Sequence, residues 1–222
     1  RRLQDGWGLS SGVFAPMSGA IATPSLPQTA EASLRPDASV FLINIQEGSL
    51  RRGERIPIEV SFHAEADLWS PENYIAAIPV FGFLREPNSE YALVITDKVV
   101  DPDGTRVGRS KEFHEAFVGD GDENTQDHLS SLKATLALED FDLGSVSGAA
   151  IFSTLDPNAL LLKLANWAET LPPPTLKQSW EVREDYESYQ VLVGTYEVPV
   201  IQLDERPYSR SGEGRIAWDE AG

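Results

Sequence analysis

The sequence predicts a mainly β chain with some α: an antiparallel β-sandwich with two appended helices and a C-terminal strand segment. Three observations carry that expectation. Short runs rich in Val, Ile, Phe and Tyr recur through the first two thirds of the chain at intervals of roughly 10–20 residues. Pro and Gly punctuate them, and no helices alternate with the early ones, which favours a sandwich over a parallel α/β sheet. Helical periodicity is strong at only two places, both in the second half.

Residues 1–37 read as an irregular N-terminal segment with one edge strand. Gly6, Gly8, Gly12 and Gly19 interrupt any helix there, and Pro16 confines the apolar stretch Gly12 to Ile21 to an edge or a bulge. Pro24, Pro27 and Pro36 make the next stretch an irregular connection, with room for one helical turn from Glu31 to Leu34.

Residues 38–155 read as the sandwich. Ser39 to Ile45 is almost continuously apolar, as expected of a strand covered on both faces. Arg55 to Phe62 alternates, with Ile56, Ile58, Val60 and Phe62 on one face, and the polar loop around Gly53 makes these two strands a hairpin. Ile75 to Leu84 and Tyr91 to Thr96 read as a second hairpin, turning through Arg85-Glu86-Pro87-Asn88-Ser89. Asp101-Pro102-Asp103-Gly104 has the chemistry of a tight turn. Leu129, Leu132 and Leu136 share one face of an inserted helix near 125–139, with Asn124 or Thr125 as its N-cap. After a turn bracketed by Gly144 and Gly148, Ala149 to Thr154 reads as a buried strand.

Residues 156–222 read as a helix, a Pro-rich spacer and a C-terminal strand extension. Asp156 as N-cap and Pro157 at the first helical position start the helix, and Leu160, Leu164, Trp167 and Leu171 form its apolar stripe. Pro172-Pro173-Pro174 stops it. Tyr189 to Ile201 reads as one long strand, or as a pair bent at Gly194.

Composition excludes some functions. Eighteen basic against 35 acidic residues give a net charge of −17, which repels phosphate backbones and disfavours nucleic-acid binding. With no cysteine, disulfides, thiolate metal sites and a Cys nucleophile are unavailable. No apolar run approaches the roughly 18–20 residues needed to span a bilayer. The chain begins at Arg1 without Met, which admits a leader, an anchor or a further domain ahead of it.

The motifs point to no reaction. A nucleophile elbow needs Gly-x-Ser-x-Gly, whereas Gly144-Ser145-Val146-Ser147-Gly148 places Val146 at the centre. His63 follows a strand, His114 lies in a loop between two glutamates and His128 begins a helix; all three read as surface or structural histidines. No catalytic residue is assigned, and a site assembled from scattered residues, such as Ser147 or Ser153 with His114, is the enzyme alternative. No cofactor is expected either. The weak metal candidates are Asp120, Asp122 and Asn124, which alternate as Ca²⁺ ligands do. Thr125 stands where such a loop needs its turn glycine, and Ser131 where it needs a bidentate Glu, so a solvated acidic loop is the first reading and a Ca²⁺-stabilised adhesive domain the alternative. Trp7, Trp69, Trp167, Trp180 and Trp218 are dispersed, and core or interdomain packing is the first reading for most of them.

A resemblance runs through Asp5-Gly6-Trp7-Gly8-Leu9-Ser10, Ala38 to Ile43, Arg55-Ile56-Pro57-Ile58, Tyr91 to Thr96, Asp101 to Thr105 and Ile151-Phe152-Ser153-Thr154. Together these resemble the N-terminal bacterial Ig-like region of large exported α/β-hydrolase or lipase-like proteins, over most of residues 5–155. In such proteins a strand like Glu197-Val198-Pro199-Val200 and a Gly-rich turn like Gly212 to Gly214 lead towards the hydrolase domain. The resemblance implies an Ig-like sandwich in an exported protein, at the cell surface, outside the cell or in the periplasm. It implies a non-catalytic accessory module whose partner is another protein or a covalently linked hydrolase domain. The family's Ser nucleophile, oxyanion-hole glycines and His have no matching positions here, so no catalytic residue carries over.

Overall fold

The computed structural model describes residues 6–68, 70–119, 123–210 and 213–216. The described chain is mainly β, with antiparallel sheets and four α-helices, and it divides into two compact units at Leu161/Leu162.

The first unit contains two antiparallel sheets. Strands β1 (Val13–Pro16), β4 (Ile58–His63) and β5 (Tyr74–Pro79) form a three-stranded sheet in the order β1-β5-β4. Strands β2 (Val40–Asn44), β3 (Arg55–Ile56), β6 (Glu90–Thr96) and β7 (Val146–Ser153) form a four-stranded sheet in the order β3-β2-β6-β7. Val40, Leu42, Leu93 and Ile95 from the larger sheet meet Ala15, Ile58, Ile75 and Ala77 from the smaller in one apolar core. On its opposite face the larger sheet presents Phe41, Ile43, Ala92 and Val94 to helices α2 (Lys111–Val118) and α3 (Glu123–Leu138), which contribute Phe117, Leu129, Leu132 and Leu136. The continuous apolar run of β2 is thereby explained, because alternate side chains enter different cores and all five residues are buried.

Several expectations are met locally. β1 is an edge strand, and the segment before β2 carries the short helix α1 (Ala30–Leu34). Leu132 and Leu136 are fully buried on α3. In the turn at 101–104, the Gly104 N–H donates to the Asp101 carbonyl at 3.0 Å, the Asp101 carboxylate accepts from the Asp103 and Thr105 N–H groups, and Gly104 adopts φ +82°. That conformation favours glycine.

Other expectations are corrected. The alternating stretch at 55–62 is not one strand. β3 pairs with β2 (Leu42 opposite Ile56), and beyond Pro57 the chain crosses to the other sheet as β4. Pro57 has no N–H to continue a ladder, its carbonyl accepts from Val80 N–H, and the buried Ser33 hydroxyl takes the Ile58 N–H at 3.1 Å. Nor do 75–84 and 91–96 form a hairpin: β5 ends at Pro79 and pairs with β1 and β4, whereas β6 pairs with β2 and β7. Residues 80–89 are a crossover between sheets, turned by Gly82 (φ +94°) and Asn88 (φ +50°). The expected loop at His114 is helix α2, with Ser110 accepting the Phe113 N–H as N-cap and Gly119 in the left-handed region as its end. Gly148 lies inside β7 rather than in a turn. With α1 and α2 there are four α-helices among the described residues in place of two.

In the second unit β8 (Leu176–Asp185) and β9 (Gln190–Tyr196) form an antiparallel hairpin. The long strand expected from 189 to 201 therefore stops at Tyr196, and its partner β8 carries the alternation Leu176, Gln178, Trp180, Val182. The Tyr186 N–H donates to the Tyr189 carbonyl at 2.9 Å across the turn, where the two rings stack at 4.6 Å. Helix α4 (Ala159–Glu169) begins two residues later than Pro157, because the Asp156 carboxylate caps Asn158 N–H and holds a turn there. None of its residues is buried, so the stripe at Leu160, Leu164 and Trp167 is not a core stripe.

Candidate functional site

The most unusual side chain in the first unit is Arg85, which the sequence places in a surface turn and the structure places in the interior, 2% exposed. It stands on the crossover between β5 and β6. Its Nε donates to the Leu9 carbonyl at 3.0 Å, and its Nη2 donates to the carbonyls of Gly8 at 2.7 Å and Ser11 at 2.6 Å. The guanidinium thus organises the irregular segment ahead of β1. Nη1 is buried and has no hydrogen-bond partner among the described residues. The Phe152 ring centroid lies 4.9 Å from Cζ, a cation–π contact that offsets part of the cost of burying the charge. Burial lowers the Arg85 pKa from its ordinary value, yet a guanidinium remains protonated at any physiological pH.

Arg85 forms part of the wall of a cavity of about 250 Å³ whose other walls come from Trp7, Val13, Phe14, Ala150 and Phe152. Two edge strands and one close approach create it. β1 and β7 are edges of their respective sheets, and Trp7 is fastened beside the end of β7 by Trp7 N–H to the Ser153 carbonyl (2.9 Å) and Leu155 N–H to the Trp7 carbonyl (3.0 Å). The approach requires Gly6, where a Cβ would lie 2.6 Å from Leu155 N. Trp7 and Phe14 remain 59% and 62% exposed at the mouth.

The histidines are distributed rather than assembled. His63, at the end of β4, lies 3.0 Å through Nε2 from the Ser61 hydroxyl and stacks at 4.7 Å on Tyr74. Both Ser61 and His63 are on the outer surface of the three-stranded sheet, and the imidazole's partners among the described residues are Ser61 and Tyr74. His128 Nδ1 meets the Glu90 carboxylate at 2.5 Å, clipping α3 to the start of β6. His114 is exposed on α2. Of the serines weighed with it, Ser147 donates its hydroxyl to the Val107 carbonyl at 2.6 Å and Ser153 is exposed at the end of β7.

Asp120 and Asp122 lie outside the described residues, as does the side chain of Asn124, so the Ca²⁺ loop has no geometry to report. Among the described residues no group of three or more His, Asp or Glu side chains could hold a metal ion. Asp101 and Asp103 belong to the turn described above. Trp7, Trp167 and Trp180 are each exposed by more than a third, so none of the three is a core residue, while Trp69 and Trp218 lie outside the described residues.

Sequence reasoning missed Arg85. A signal was there: it is the first charged residue after Glu72 and closes the run Tyr74 to Leu84, and a cation drawn inside with such a run needs carbonyl partners. No protein-family model and no curated protein sequence matches the chain.

Proposed function

We propose that the chain is a non-catalytic Ig-like accessory and interaction module of an exported bacterial protein, associated with a hydrolase. The observation that carries the interaction role is the β8–β9 hairpin. Among the described residues of its own unit its strands pair only with each other, every residue of β8 is exposed, and Leu176, Trp180, Val182, Leu192 and Tyr196 are each about half exposed. An isolated two-stranded hairpin is marginal in water, and clustered apolar side chains of this kind mark a surface meant for another protein surface. A covalently linked hydrolase domain or a separate protein partner would supply it.

The Ig-like assignment is supported by two antiparallel sheets sharing a core and by a chain that changes sheet at Pro57. Export, bacterial origin and the link to a hydrolase rest on the resemblance of residues 5–155. Ser147 donates its hydroxyl to a backbone carbonyl, and Ser61 and His63 lie on an exposed sheet surface. No helix among the described residues is long and apolar enough to cross a membrane.

The test is an ester-hydrolysis assay on the purified chain with p-nitrophenyl butyrate. No turnover above buffer is expected. Hydrolysis that disappears in Ser61→Ala or His63→Ala would overturn the reading and establish an enzyme.

A further inference from the structure

We propose that the free edge of β7 binds an extended apolar peptide as an added strand. Strands β1, β3, β4 and β7 border the two sheets of the first unit. Open edges recruit other strands, and proteins blunt them with Pro, charge or brevity. β1 carries Pro16, β3 is 2 residues long, and β4 carries Glu59 and His63. β7, reading Val146-Ser147-Gly148-Ala149-Ala150-Ile151-Phe152-Ser153, has none of these devices.

The hydrogen bonds at its end fix which backbone groups face outward. The Thr154 N–H turns inward to the Ser89 carbonyl at 2.9 Å, whereas the Ser153 carbonyl turns outward and accepts from the Trp7 N–H at 2.9 Å. In an antiparallel pair successive residues alternate between bonding the partner strand and turning away from it. Ala150 and Phe152 therefore bond β6, while Ala149 and Ile151 turn their N–H and C=O groups to the free side, where none has a hydrogen bond among the described residues. Trp7, in an isolated parallel bridge with Thr154, shows that this edge accepts added backbone.

Side chains set the chemistry of the occupant. Val13, Ala150 and Phe152 are only partly buried beside the core between the sheets, and Ala149, Ile151 and Phe113 are only partly buried beside the core under α2 and α3. A cleft of about 580 Å³ separates β7 from β1, and a Cβ on Gly148 would meet nothing within 4 Å. Both faces of an added strand rest on hydrocarbon, and the small residues of the edge leave room for Val and Ile. A second copy of the chain is obstructed by Trp7. Pairing Ala149 with the copy's Ala149 sets the copy's Gly144 opposite Thr154, and pairing Ile151 with its Ile151 sets Gly148 there, in the place that Trp7 occupies. A short peptide can end before it. This inference concerns the first unit and stands independently of the hairpin and of any hydrolase.

The probe is the peptide acetyl-KKVIVIVKK-amide, titrated calorimetrically into the full chain beside a counterpart N-methylated throughout its apolar run, which keeps the side chains and loses the N–H donors. Saturable one-to-one binding is expected, at least tenfold tighter than that of the counterpart. In hydrogen exchange read by NMR, the bound peptide should slow the Ala149 and Ile151 amides at least tenfold more than those of Ala150 and Phe152. Ala149→Pro removes an outward donor and leaves the β6–β7 ladder its bonds, with Ile151→Pro as a second such variant. Either one, once shown to melt cooperatively, should weaken the peptide at least tenfold. No binding, equal affinity for the N-methylated peptide, equal slowing of inward and outward amides, or unchanged affinity in a folded proline variant would each overturn the proposal. Slow exchange at Ala149 and Ile151 in a dimer of the peptide-free chain would overturn it too, by making a second copy the occupant.

Discussion

Strand β2 and strand β8 are both apolar stretches in antiparallel ladders, and they end in opposite surroundings. Val40, Phe41, Leu42 and Ile43 are fully buried, because the smaller sheet covers one face of β2 and helices α2 and α3 cover the other. Trp180 and Val182 on β8 are more than half exposed, and among the described residues of their unit β8 pairs only with β9. Pairing satisfies the backbone in both places. Only layering removes side chains from water, and layering is what stabilises β2. An apolar pattern therefore tells which residues need cover, and the surrounding elements decide whether the same chain provides it.

Paired truncations sharpen that contrast most strongly. Leu93→Ala, at a site with no exposure, should destabilise the first unit by about 2–5 kcal/mol through lost transfer energy and a cavity between the sheets. Val182→Ala should change the stability of the purified chain by no more than about 0.5 kcal/mol. Urea unfolding followed separately by near-ultraviolet signals checks both, and a large effect of Val182→Ala would mean that the hairpin is covered after all.

A smaller effect comes from the loop joining β2 to β3. A hydrogen bond from Arg51 holds the Glu54 carboxyl below its ordinary range. A carboxylate whose pKa is lower in the folded state stabilises fully above its unfolded pKa, near 4.3, and that stabilisation is lost as pH falls through the folded value. Both side chains are nearly half exposed, so screening limits the contribution to about 0.5 kcal/mol or less. Glu54→Gln should lower stability slightly at pH 7, by a margin that shrinks as pH falls below the unfolded value. A margin independent of pH would show that packing, not charge, is responsible.

Much of the first unit was legible because its signals are local. The double-faced apolar run of β2, the Leu129/Leu132/Leu136 stripe and the Asp-Pro-Asp-Gly turn each identify their own element. What was not legible depended on partners distant in sequence. The pattern at 55–62 marks the inward residues correctly but cannot reveal that Pro57 sends the two halves to different sheets. The strands at 74–79 and 90–96 are adjacent in sequence, yet each finds better partners elsewhere, and the ten residues between them cross the sandwich. The candidate site lies in that crossover, since Arg85 is buried only when residues 8–11 fold over it. Helix α2 was readable from Ser110, Gly119 and the Phe113/Phe117 spacing, and β8 from its alternation at 176–182; neighbouring Gly and Pro residues obscured both.

The central claim is that the layered unit is self-sufficient and the hairpin awaits a partner. Amide hydrogen exchange on the purified chain, resolved by peptide, tests it directly. The amides of β2 and β6 should exchange only through global unfolding, while those of β8 and β9 should exchange within the fast, locally opening fraction. Equal protection of the hairpin and the central sheet in the purified chain would contradict the account.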